Sequence, residues 1–308
     1  MNQDKPILVT GGRGMVGQAL IHWLKKLGYR DILAPTHAEL DLTRQKDVFD
    51  FFNEYQPDTV FHAAAKVGGI MAHSEFGGTF IRSNLAIQQN VIEGAAGYGC
   101  RNLLFFGSAC AYPKHAICPI KESALLCGEL EETNRAYAIA KIAGIEMCKA
   151  YRKQYKVNFV SLMPTNLYGI GDNYHPQHSH VLPGMIRKIH EAKEADKLMC
   201  TLWGSGQVTR EFLWAGDLAR AAILRMMQPS APDLMNVGSG QEISLCCLAN
   251  IVCEVIGFRG VIYWDNTKPD GTPRRVLDSS LIRDTGWQPS TTLEEGIKLA
   301  YADFLARK

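Results

Sequence analysis

The chain has 308 residues, 46% of them hydrophobic, and a formal net charge of +2 with its basic residues dispersed. This length allows one large domain or two closely joined ones, and the dispersed charge argues against a nucleic-acid or membrane partner. No apolar stretch reaches the ~18 residues of a membrane span, the N-terminus lacks the layout of a signal peptide, and the nine cysteines are scattered. We therefore expect a cytoplasmic protein with reduced thiols.

The first predicted element is a strand over residues 6–10, followed by the segment G-G-R-G-M-V-G and an amphipathic helix. Gly11, Gly14 and Gly17 have the G-x-x-G-x-x-G spacing of a dinucleotide-binding turn. Glycines permit the tight turn and let the backbone approach a pyrophosphate, which the positive end of the helix dipole then favours. A glycine turn that binds no ligand is the alternative interpretation.

A second strand is predicted over residues 31–34, and the segment after it bears on the choice of cofactor. NAD-preferring sites usually carry an acidic residue here, which binds the ribose 2′-hydroxyl. This sequence has Pro35, Thr36 and His37 instead, and Arg13 in the glycine loop can meet a 2′-phosphate. The pattern favours NADP, and His37 either assists or is merely solvated.

Helices and strands continue to alternate up to residue 163. Helices are predicted over residues 45–55 and 79–97, and strands over residues 59–62, 103–106 and 158–163. This βα alternation predicts a parallel, doubly wound α/β sheet. Ser108 and Cys110 directly follow the fourth strand, and catalytic groups in such sheets gather at the carboxyl ends of the strands. A cysteine at this position is also compatible with simple core packing.

Residues 133–145 read T-N-R-A-Y-A-I-A-K-I-A-G-I, a predicted helix of mostly small and aliphatic residues with two polar side chains among them. Tyr137 and Lys141 are four residues apart and therefore share one helix face. We expect the Lys141 ammonium to lower the pKa of Tyr137, so that the phenol can exchange a proton with a carbonyl or an alcohol. A half-buried tyrosine beside an unrelated lysine is the alternative.

The second half of the chain is rich in loops. It is predicted to form a smaller α/β substrate domain over residues 166–308, after a cofactor domain over residues 1–165. Helices are predicted over residues 181–192 and 216–227, and strands over residues 199–203, 208–213 and 235–238. The segment at about 208–240 is expected to return to the first sheet. His175, His178 and His180 lack enough further ligands for a metal site, so none is expected.

The N-terminal glycine motif, Ser108 and the Tyr137-x-x-x-Lys141 pair together resemble the extended short-chain dehydrogenase/reductase family. Longer stretches narrow the resemblance to members that act on GDP-4-keto sugars: H-A-A-A-K-V-G-G-I (62–70), G-S-A-C-A-Y-P (107–113), M-P-T-N-L-Y-G (163–169), D-N-Y-H-P-Q-H-S-H-V (172–181), W-G-S-G (203–206) and R-E-F-L (210–213). The resemblance covers nearly the whole chain. It implies a Rossmann fold and the NADPH-dependent 3,5-epimerisation and 4-reduction of GDP-4-keto-6-deoxy-D-mannose to GDP-L-fucose.

The resemblance also implies the site residues. Ser108, Tyr137 and Lys141 would form the reductase set, and Cys110 and His180 would be the base and the acid of epimerisation. The implied cofactor contacts are Gly11, Arg13, Gly14, Met15, Val16, Gly17, His37, Asp41, Leu42, Ala63, Ala64, Lys141, Pro164, Asn166, Leu167 and His180. The implied GDP-sugar contacts are Asn166, Lys188, Trp203, Arg210, Lys268 and Arg274. A homodimer through the helices at 79–97 and 135–155 is expected by analogy.

Three other interpretations stay open. The same fold could act on another GDP-sugar, as a GDP-L-colitose synthase or as a GDP-deoxyheptose C4-reductase or epimerase. The chain could also be an NAD-dependent 4-epimerase or dehydratase, although a dehydratase would want a carboxylate pair near Ser108, where the sequence reads A-C-A. A non-catalytic NADP-sensing protein is the third, and the intact Ser108, Tyr137 and Lys141 argue against it.

Overall fold

The computed structural model describes residues 1–268 and 270–308. Six parallel strands form the central sheet: β1 (Ile7–Thr10), β2 (Ile32–Leu33), β3 (Thr59–His62), β4 (Asn102–Phe106), β5 (Asn158–Pro164) and β9 (Leu234–Val237). Their spatial order is β2-β1-β3-β4-β5-β9, so the direction of the strand order reverses between β1 and β3. β1, β3 and β9 are buried along their whole length, so none of them shows the regular alternation of polar and apolar residues of a strand with one solvated face.

Helices cover both faces of this sheet. One face carries α1 (Met15–Lys26) and α7 (Ala215–Met227), and the other carries α2 (Gln45–Tyr55), α4 (Gly77–Gly97) and α5 (Arg135–Tyr155). The short helix α3 (Ile70–Glu75) lies between β3 and α4 in the chain. Leu20 and Leu24 of α1 are fully buried against α7, and each such leucine contributes ~1.5–3 kcal/mol of hydrophobic stabilisation. The predicted doubly wound α/β fold is confirmed.

The remaining elements form a smaller second unit. Its main sheet is built around β8 (Thr209–Trp214), which pairs with β6 (Asn166–Tyr168), β10 (Glu242–Ser244) and β12 (Arg274–Arg275). A separate parallel pair consists of β7 (Met199–Trp203) and β11 (Val261–Asp265). The helices that pack around these strands are α6 (Val181–Glu194), α8 (Leu245–Ile256) and α10 (Leu293–Ala306), while α9 (Ser280–Asp284) packs against β9.

Part of the C-terminal half packs with the central sheet. β9 extends that sheet beside β5, and α7 packs on α1. β8, which the sequence prediction grouped with them, pairs in the small sheet instead. Trp287 is also buried in the core beside α7, where its indole N–H donates to the Asp217 carbonyl at 3.0 Å. Within the described part of the chain, no helix has the length and apolar character that crossing a membrane requires.

Candidate active site

A cavity of about 1200 Å³ opens at the carboxyl ends of the central strands. Its walls are the glycine loop after β1, the segments that follow β2, β3, β4 and β5, the start of α5, and residues of β8 and β12. Open α/β sheets bind their ligands where the strand order reverses, and that point lies between β1 and β3 here. The volume exceeds the ~300–1,000 Å³ of a typical pocket for one small molecule, so the cavity has room for two ligands.

The glycine loop presents backbone rather than side chains to this cavity. Gly11 has a φ of +70°, and a Cβ atom there would lie 2.9 Å from the Cα and N atoms of Ala64. A Cβ atom at Gly17 would collide with the Gly11 carbonyl and push α1 away from the loop. Gly14 caps α1 without a side chain, so the first N–H groups of the helix are left for a ligand. The loop therefore fits a pyrophosphate.

The loop after β2 contributes the outer end of the cavity, where Arg13, Thr36 and His37 all line the wall. Arg13 and His37 are exposed and can reach a ligand. Two acids, Glu39 and Asp41, lie near this turn. The Glu39 carboxylate accepts a hydrogen bond from the Thr36 N–H at 2.7 Å, and this bond lowers the pKa of Glu39. Glu39 is not part of the lining, whereas Asp41 is, and its carboxylate lies 3.9 Å from the His37 Nδ1 atom.

Tyr137 and Lys141 lie on the buried face of α5. The Lys141 ammonium donates to the Phe106 carbonyl at 2.7 Å and lies 5.8 Å from the centre of the Tyr137 ring. Burial lowers the pKa of Lys141 to about 7. Burial also raises the pKa of Tyr137, Cys110 raises it further, and the Ser108 hydroxyl lowers it. The predicted lowering of the Tyr137 pKa by Lys141 is therefore wrong, because burial raises this pKa and Lys141 is not among the groups that shift it.

Ser108 and Cys110 form a tight turn directly after β4. The Ser108 side-chain oxygen accepts a hydrogen bond from the Cys110 N–H at 3.3 Å, which caps the single helical turn at residues 109–111. Cys110 is half-buried and packs against Ala72, Phe80 and Tyr137. Since it also lines the cavity, the thiol lies beside the tyrosine rather than in the main core.

His180 directly precedes α6 and lines the same part of the cavity. Its side chain is accessible from the cavity yet surrounded by protein, and this desolvation lowers its pKa. The imidazolium expected for a proton donor is thus a minority form near neutral pH, although it is a stronger acid than an unperturbed one.

Two arginines add positive charge to the wall near Cys110. Arg210 of β8 donates to the carbonyls of Thr209 at 2.7 Å and Asp270 at 3.3 Å, while Arg275 of β12 donates to the Ala109 carbonyl. Burial lowers the pKa of Arg210 to about 10, and the nearby Arg275 adds to this effect. Two neighbouring guanidinium groups in a partly desolvated wall favour an anionic ligand such as a second pyrophosphate.

The predicted residues divide into those that line the cavity and those that do not. All of the predicted catalytic residues and all of the predicted cofactor contacts line it, and so do Asn166 and Arg210 of the predicted GDP-sugar contacts. Lys188, Trp203 and Lys268 lie outside the lining and form a group of their own. The ammonium group of Lys188 lies 4.5 Å from the centre of the Trp203 indole ring, and that of Lys268 lies 5.8 Å from it.

Arg274 does not lie where the sequence argument expected it. It is exposed and donates two hydrogen bonds of 2.8 Å to the Glu242 carboxylate. Its neighbour Arg275 is buried and lines the cavity instead. Successive side chains of a strand point to opposite faces, so only one of these two arginines can face the site.

The lining also contains residues that the sequence argument missed, namely His73, Glu131, Asn134 and Arg275. The Asn134 side-chain oxygen is buried and has no hydrogen-bond partner among the described residues, while Glu131 pairs with Lys114 at 3.2 Å. Strand alternation could have identified Arg275. His73 lies on the short helix α3, outside every motif that was used.

The histidines of the loop before α6 pack on one another. The rings of His175 and His178 stack with 4.6 Å between their centres, and the His175 Nδ1 atom accepts from the N–H groups of Gln177 and His178 at 3.2 Å. Among residues 1–268 and 270–308, no group of three or more His, Cys, Asp or Glu residues is placed to hold a metal ion.

A parallel sheet with a glycine loop at its reversal point, and with serine, tyrosine and lysine beside it, defines a dinucleotide-binding protein of the Rossmann type. The chain belongs to the NAD dependent epimerase/dehydratase family, which matches residues 7–238.

The chain is also similar to individual proteins over nearly its whole length. This similarity confirms the predicted resemblance to family members that act on GDP-4-keto sugars. The chain is 52% identical over 296 residues to the probable GDP-L-fucose synthase 1 of Oryza sativa subsp. japonica, covering 96% of this chain and 90% of the relative. It is 50% identical over 304 residues to GDP-L-fucose synthase 1 of Arabidopsis thaliana, covering 99% and 94%. The GDP-D-glycero-L-gluco-heptose synthase of Campylobacter jejuni, solved in the presence of NADPH, is 32% identical with a TM-score of 0.90, covering 99% of both chains.

Proposed function

We propose that this chain converts GDP-4-keto-6-deoxy-D-mannose to GDP-L-fucose with NADPH, by epimerising C3 and C5 and then reducing C4. The composition of the cavity at the carboxyl ends of the central strands carries the proposal. Cys110 and His180, which suit proton transfer at carbon, line it together with the dinucleotide loop. Ser108, Tyr137 and Lys141, which suit the reduction of a carbonyl, line it as well. The plant relatives named GDP-L-fucose synthase support the choice of sugar.

The glycine loop and the loop after β2 fit NADPH. A side chain at Gly11 would fill the space beside Ala64, so the bare backbone suits the close approach of a pyrophosphate. Arg13 and His37 suit the 2′-phosphate that distinguishes NADP from NAD. The NADPH present with the Campylobacter relative supports this assignment. When bound, NADPH supplies the hydride for the reduction of C4.

Ser108 and Tyr137 interact with the oxygen on C4 of the sugar. Ser108 donates a hydrogen bond to the carbonyl, and Tyr137 supplies the proton when the carbonyl becomes an alkoxide. The raised pKa of Tyr137 keeps its phenol protonated at neutral pH, as a proton donor requires. Lys141 stabilises the phenolate that remains and holds the nicotinamide ribose.

Cys110 and His180 serve C3 and C5, whose protons are acidic because both carbons flank the C4 carbonyl. The Cys110 thiolate removes a proton from one face, and Ser108 and Tyr137 stabilise the resulting enolate. His180 returns a proton on the opposite face, and its lowered pKa makes its imidazolium a stronger acid. For this one pair of residues to epimerise both C3 and C5, the sugar ring must change its position between the two steps.

We assign the pyrophosphate of GDP to Arg210 and Arg275. The side chain of Trp203 is 42% exposed and flanked by Lys188 and Lys268, so this group suits the part of the nucleotide that extends beyond the cavity. Arg274 is left out of the assignment because its guanidinium pairs with Glu242.

The test is incubation with GDP-4-keto-6-deoxy-D-mannose and NADPH in D₂O, with NMR of the sugar. We expect deuterium at C3 and C5, consumption of NADPH and an L-fucosyl product. The Cys110→Ser variant should lose the exchange by about 10²–10⁴-fold, because the base is removed, while it binds NADPH normally. A wild-type protein without exchange or NADPH oxidation would contradict the proposal.

A GDP-deoxyheptose C4-reductase or epimerase is the second candidate, and the likeness to the Campylobacter heptose synthase favours it. One extra carbon on the sugar changes few contacts in a cavity of about 1200 Å³. The ratio of kcat/KM for the 4-keto deoxymannose and the 4-keto heptose separates the two candidates. A higher kcat/KM for the 4-keto heptose than for the 4-keto deoxymannose would favour the second candidate.

We also propose a cytoplasmic homodimer that forms through α4 and α5. These helices pack side by side, and Ile139 of α5 is 42% exposed on the outer surface. Residues 1–165 with α7 and β9 would form the cofactor domain, and most of 166–308 the substrate domain. Sedimentation should give twice the chain mass, and Ile139→Glu should reduce it to that of one chain.

A further inference from the structure

His73 is a titratable residue of the cavity to which the proposed mechanism gives no role. It lies on α3, and its ring centre is 4.4 Å from that of Phe80 and 4.9 Å from that of Tyr137. Its side chain is half-buried and lines the same cavity as Cys110 and His180. The imidazole therefore lies on the wall that carries the proposed proton donor for C4.

The surroundings of His73 decide which kind of contact it can make. Burial lowers its pKa to about 4, the charge of His180 lowers it further, and the Gly68 carbonyl opposes both. His73 is thus neutral at physiological pH and acts through hydrogen bonds rather than through charge. A carbonyl beside the ring attracts its single N–H, so the other nitrogen is left as an acceptor.

His73 lies on a different element from the cofactor loops and from the proposed pyrophosphate contacts. The cofactor loops lie at the ends of β1 and β2, and the proposed pyrophosphate contacts lie on β8 and β12. His73 instead packs against Phe80 and Tyr137, the two rings against which Cys110 also packs. The reacting sugar carbons must lie within reach of Tyr137 and Cys110, so a ring that packs on Tyr137 and lines the same cavity lies next to the hexose.

We propose that His73 binds the hexose of the substrate, accepting a hydrogen bond from a sugar hydroxyl and determining which ring positions reach Tyr137 and His180. This inference rests on the proposed function, because it needs a GDP-sugar whose ring occupies this end of the cavity. His73 would thereby contribute to the discrimination among GDP-4-keto sugars. The alternative is that the His73 imidazole packs between Phe80 and α5 and makes no contact with the substrate.

The experiment compares two substitutions that separate hydrogen bonding from packing. His73→Phe keeps a flat ring against Phe80 and Tyr137 but removes both nitrogens, whereas His73→Asn keeps a donor and an acceptor in a smaller side chain. His22→Phe is the matched control, because His22 is exposed on α1 and is not part of the cavity lining. For each protein, KM and kcat are measured with GDP-4-keto-6-deoxy-D-mannose, and Kd is measured for NADPH and for GDP alone.

We expect His73→Phe to raise KM for the sugar nucleotide roughly five- to tenfold, the effect of one lost hydrogen bond, with Kd for NADPH and GDP unchanged. His73→Asn should recover most of the loss, and His22→Phe should match the wild type. An unchanged KM in His73→Phe overturns the assignment, and so does an equal loss for GDP, NADPH and the sugar nucleotide, which indicates a packing role. A wild type that binds NADPH but turns over no GDP-4-keto sugar overturns the proposed function, and this inference with it.

Discussion

The two ends of the cavity are built from different parts of the chain. At the glycine loop the lining is mostly backbone and small residues, held where β1 and β3 end. At the sugar end the lining consists of long side chains from separate elements, among them Tyr137 of α5, His180 before α6 and Arg210 of β8. Side chains can be removed one at a time, whereas backbone held by a buried sheet cannot. Substitutions at the sugar end should therefore change chemistry with little effect on folding, and substitutions in the glycine loop should change binding and stability together.

The largest expected effect is at Tyr137. Tyr137→Phe keeps the ring that packs beside His73 and Phe80 but removes the proton donor, so reduction should fall by about 10²–10⁴-fold. Deuterium exchange at C3 and C5 should continue, because Cys110 remains. Stopped assays of NADPH oxidation and NMR in D₂O measure the two activities separately. Wild-type NADPH turnover would contradict the assignment, and an unchanged Tm would establish that the fold is intact.

A smaller effect is expected when the two arginines of the sugar end are compared. Arg210→Ala removes a desolvated cation from the cavity wall, so KM for the GDP-sugar should rise roughly 10–100-fold. Arg274→Ala removes an ion pair with Glu242, which contributes about 0–1 kcal/mol, and a hydrogen bond of 3.3 Å to the Cys118 carbonyl. Both lie outside the cavity lining, so KM should stay within about twofold of the wild type. Equal effects of the two substitutions would mean that the lining of the cavity does not identify the nucleotide contacts.

The same contrast explains how far the sequence could predict the site. Parallel strands necessarily bring their carboxyl ends to one edge, so the glycines, Ser108 and the Tyr137 helix could be placed together from their order in the chain. Lys188, Trp203 and Arg274 follow no such rule, because the helix and the two strands of the smaller unit that carry them are positioned by tertiary packing. The missed His73 belongs to the same category, since a helix of six residues leaves little pattern in the sequence.

The direction of the Tyr137 pKa was mispredicted for a related reason. Spacing on a helix places an ammonium near a phenol, but it does not reveal how deeply both are buried. Tyr137 is 7% exposed and Lys141 is 5% exposed, and desolvation dominates both pKa shifts. Burial depends on α4 and on the loop after β3, which the local sequence of α5 does not encode.

A substitution in the glycine loop should reduce the affinity for the cofactor by about tenfold. Gly11→Ala adds a Cβ atom at a φ of +70° and 2.9 Å from the backbone of Ala64, which should cost ~1–3 kcal/mol of stability. The displaced loop should also weaken NADPH binding roughly tenfold. Gly97→Ala is the matched control, because a Cβ atom there meets nothing within 4 Å and alanine favours the helix. Fluorescence titration with NADPH and urea unfolding measure both quantities, and normal NADPH affinity in Gly11→Ala would contradict a backbone-built cofactor site.

The smallest expected effect is at Asp172, in the loop that leads to His180. Burial raises its pKa from 3.8 to about 7, while the Asn173 N–H and Arg307 lower it and Asp303 raises it further. The folded protein therefore binds more protons than the unfolded chain between these two values, and this carboxyl reduces stability as pH rises from about 4 to about 7.

Asp172→Asn keeps an acceptor for the Asn173 N–H but carries no charge. It should leave stability unchanged near pH 4 and increase it by ~1–3 kcal/mol above pH 7, as measured by urea unfolding at both values. Asp284→Asn, at an exposed position, should show no such pH dependence. An equal change at both pH values would contradict a buried carboxylate. A stabilised variant that also loses exchange at C3 and C5 would mean that the charge of Asp172 helps to hold the His180 loop in its active position. Stability and chemistry would then be coupled in this loop, in contrast to the rest of the sugar end.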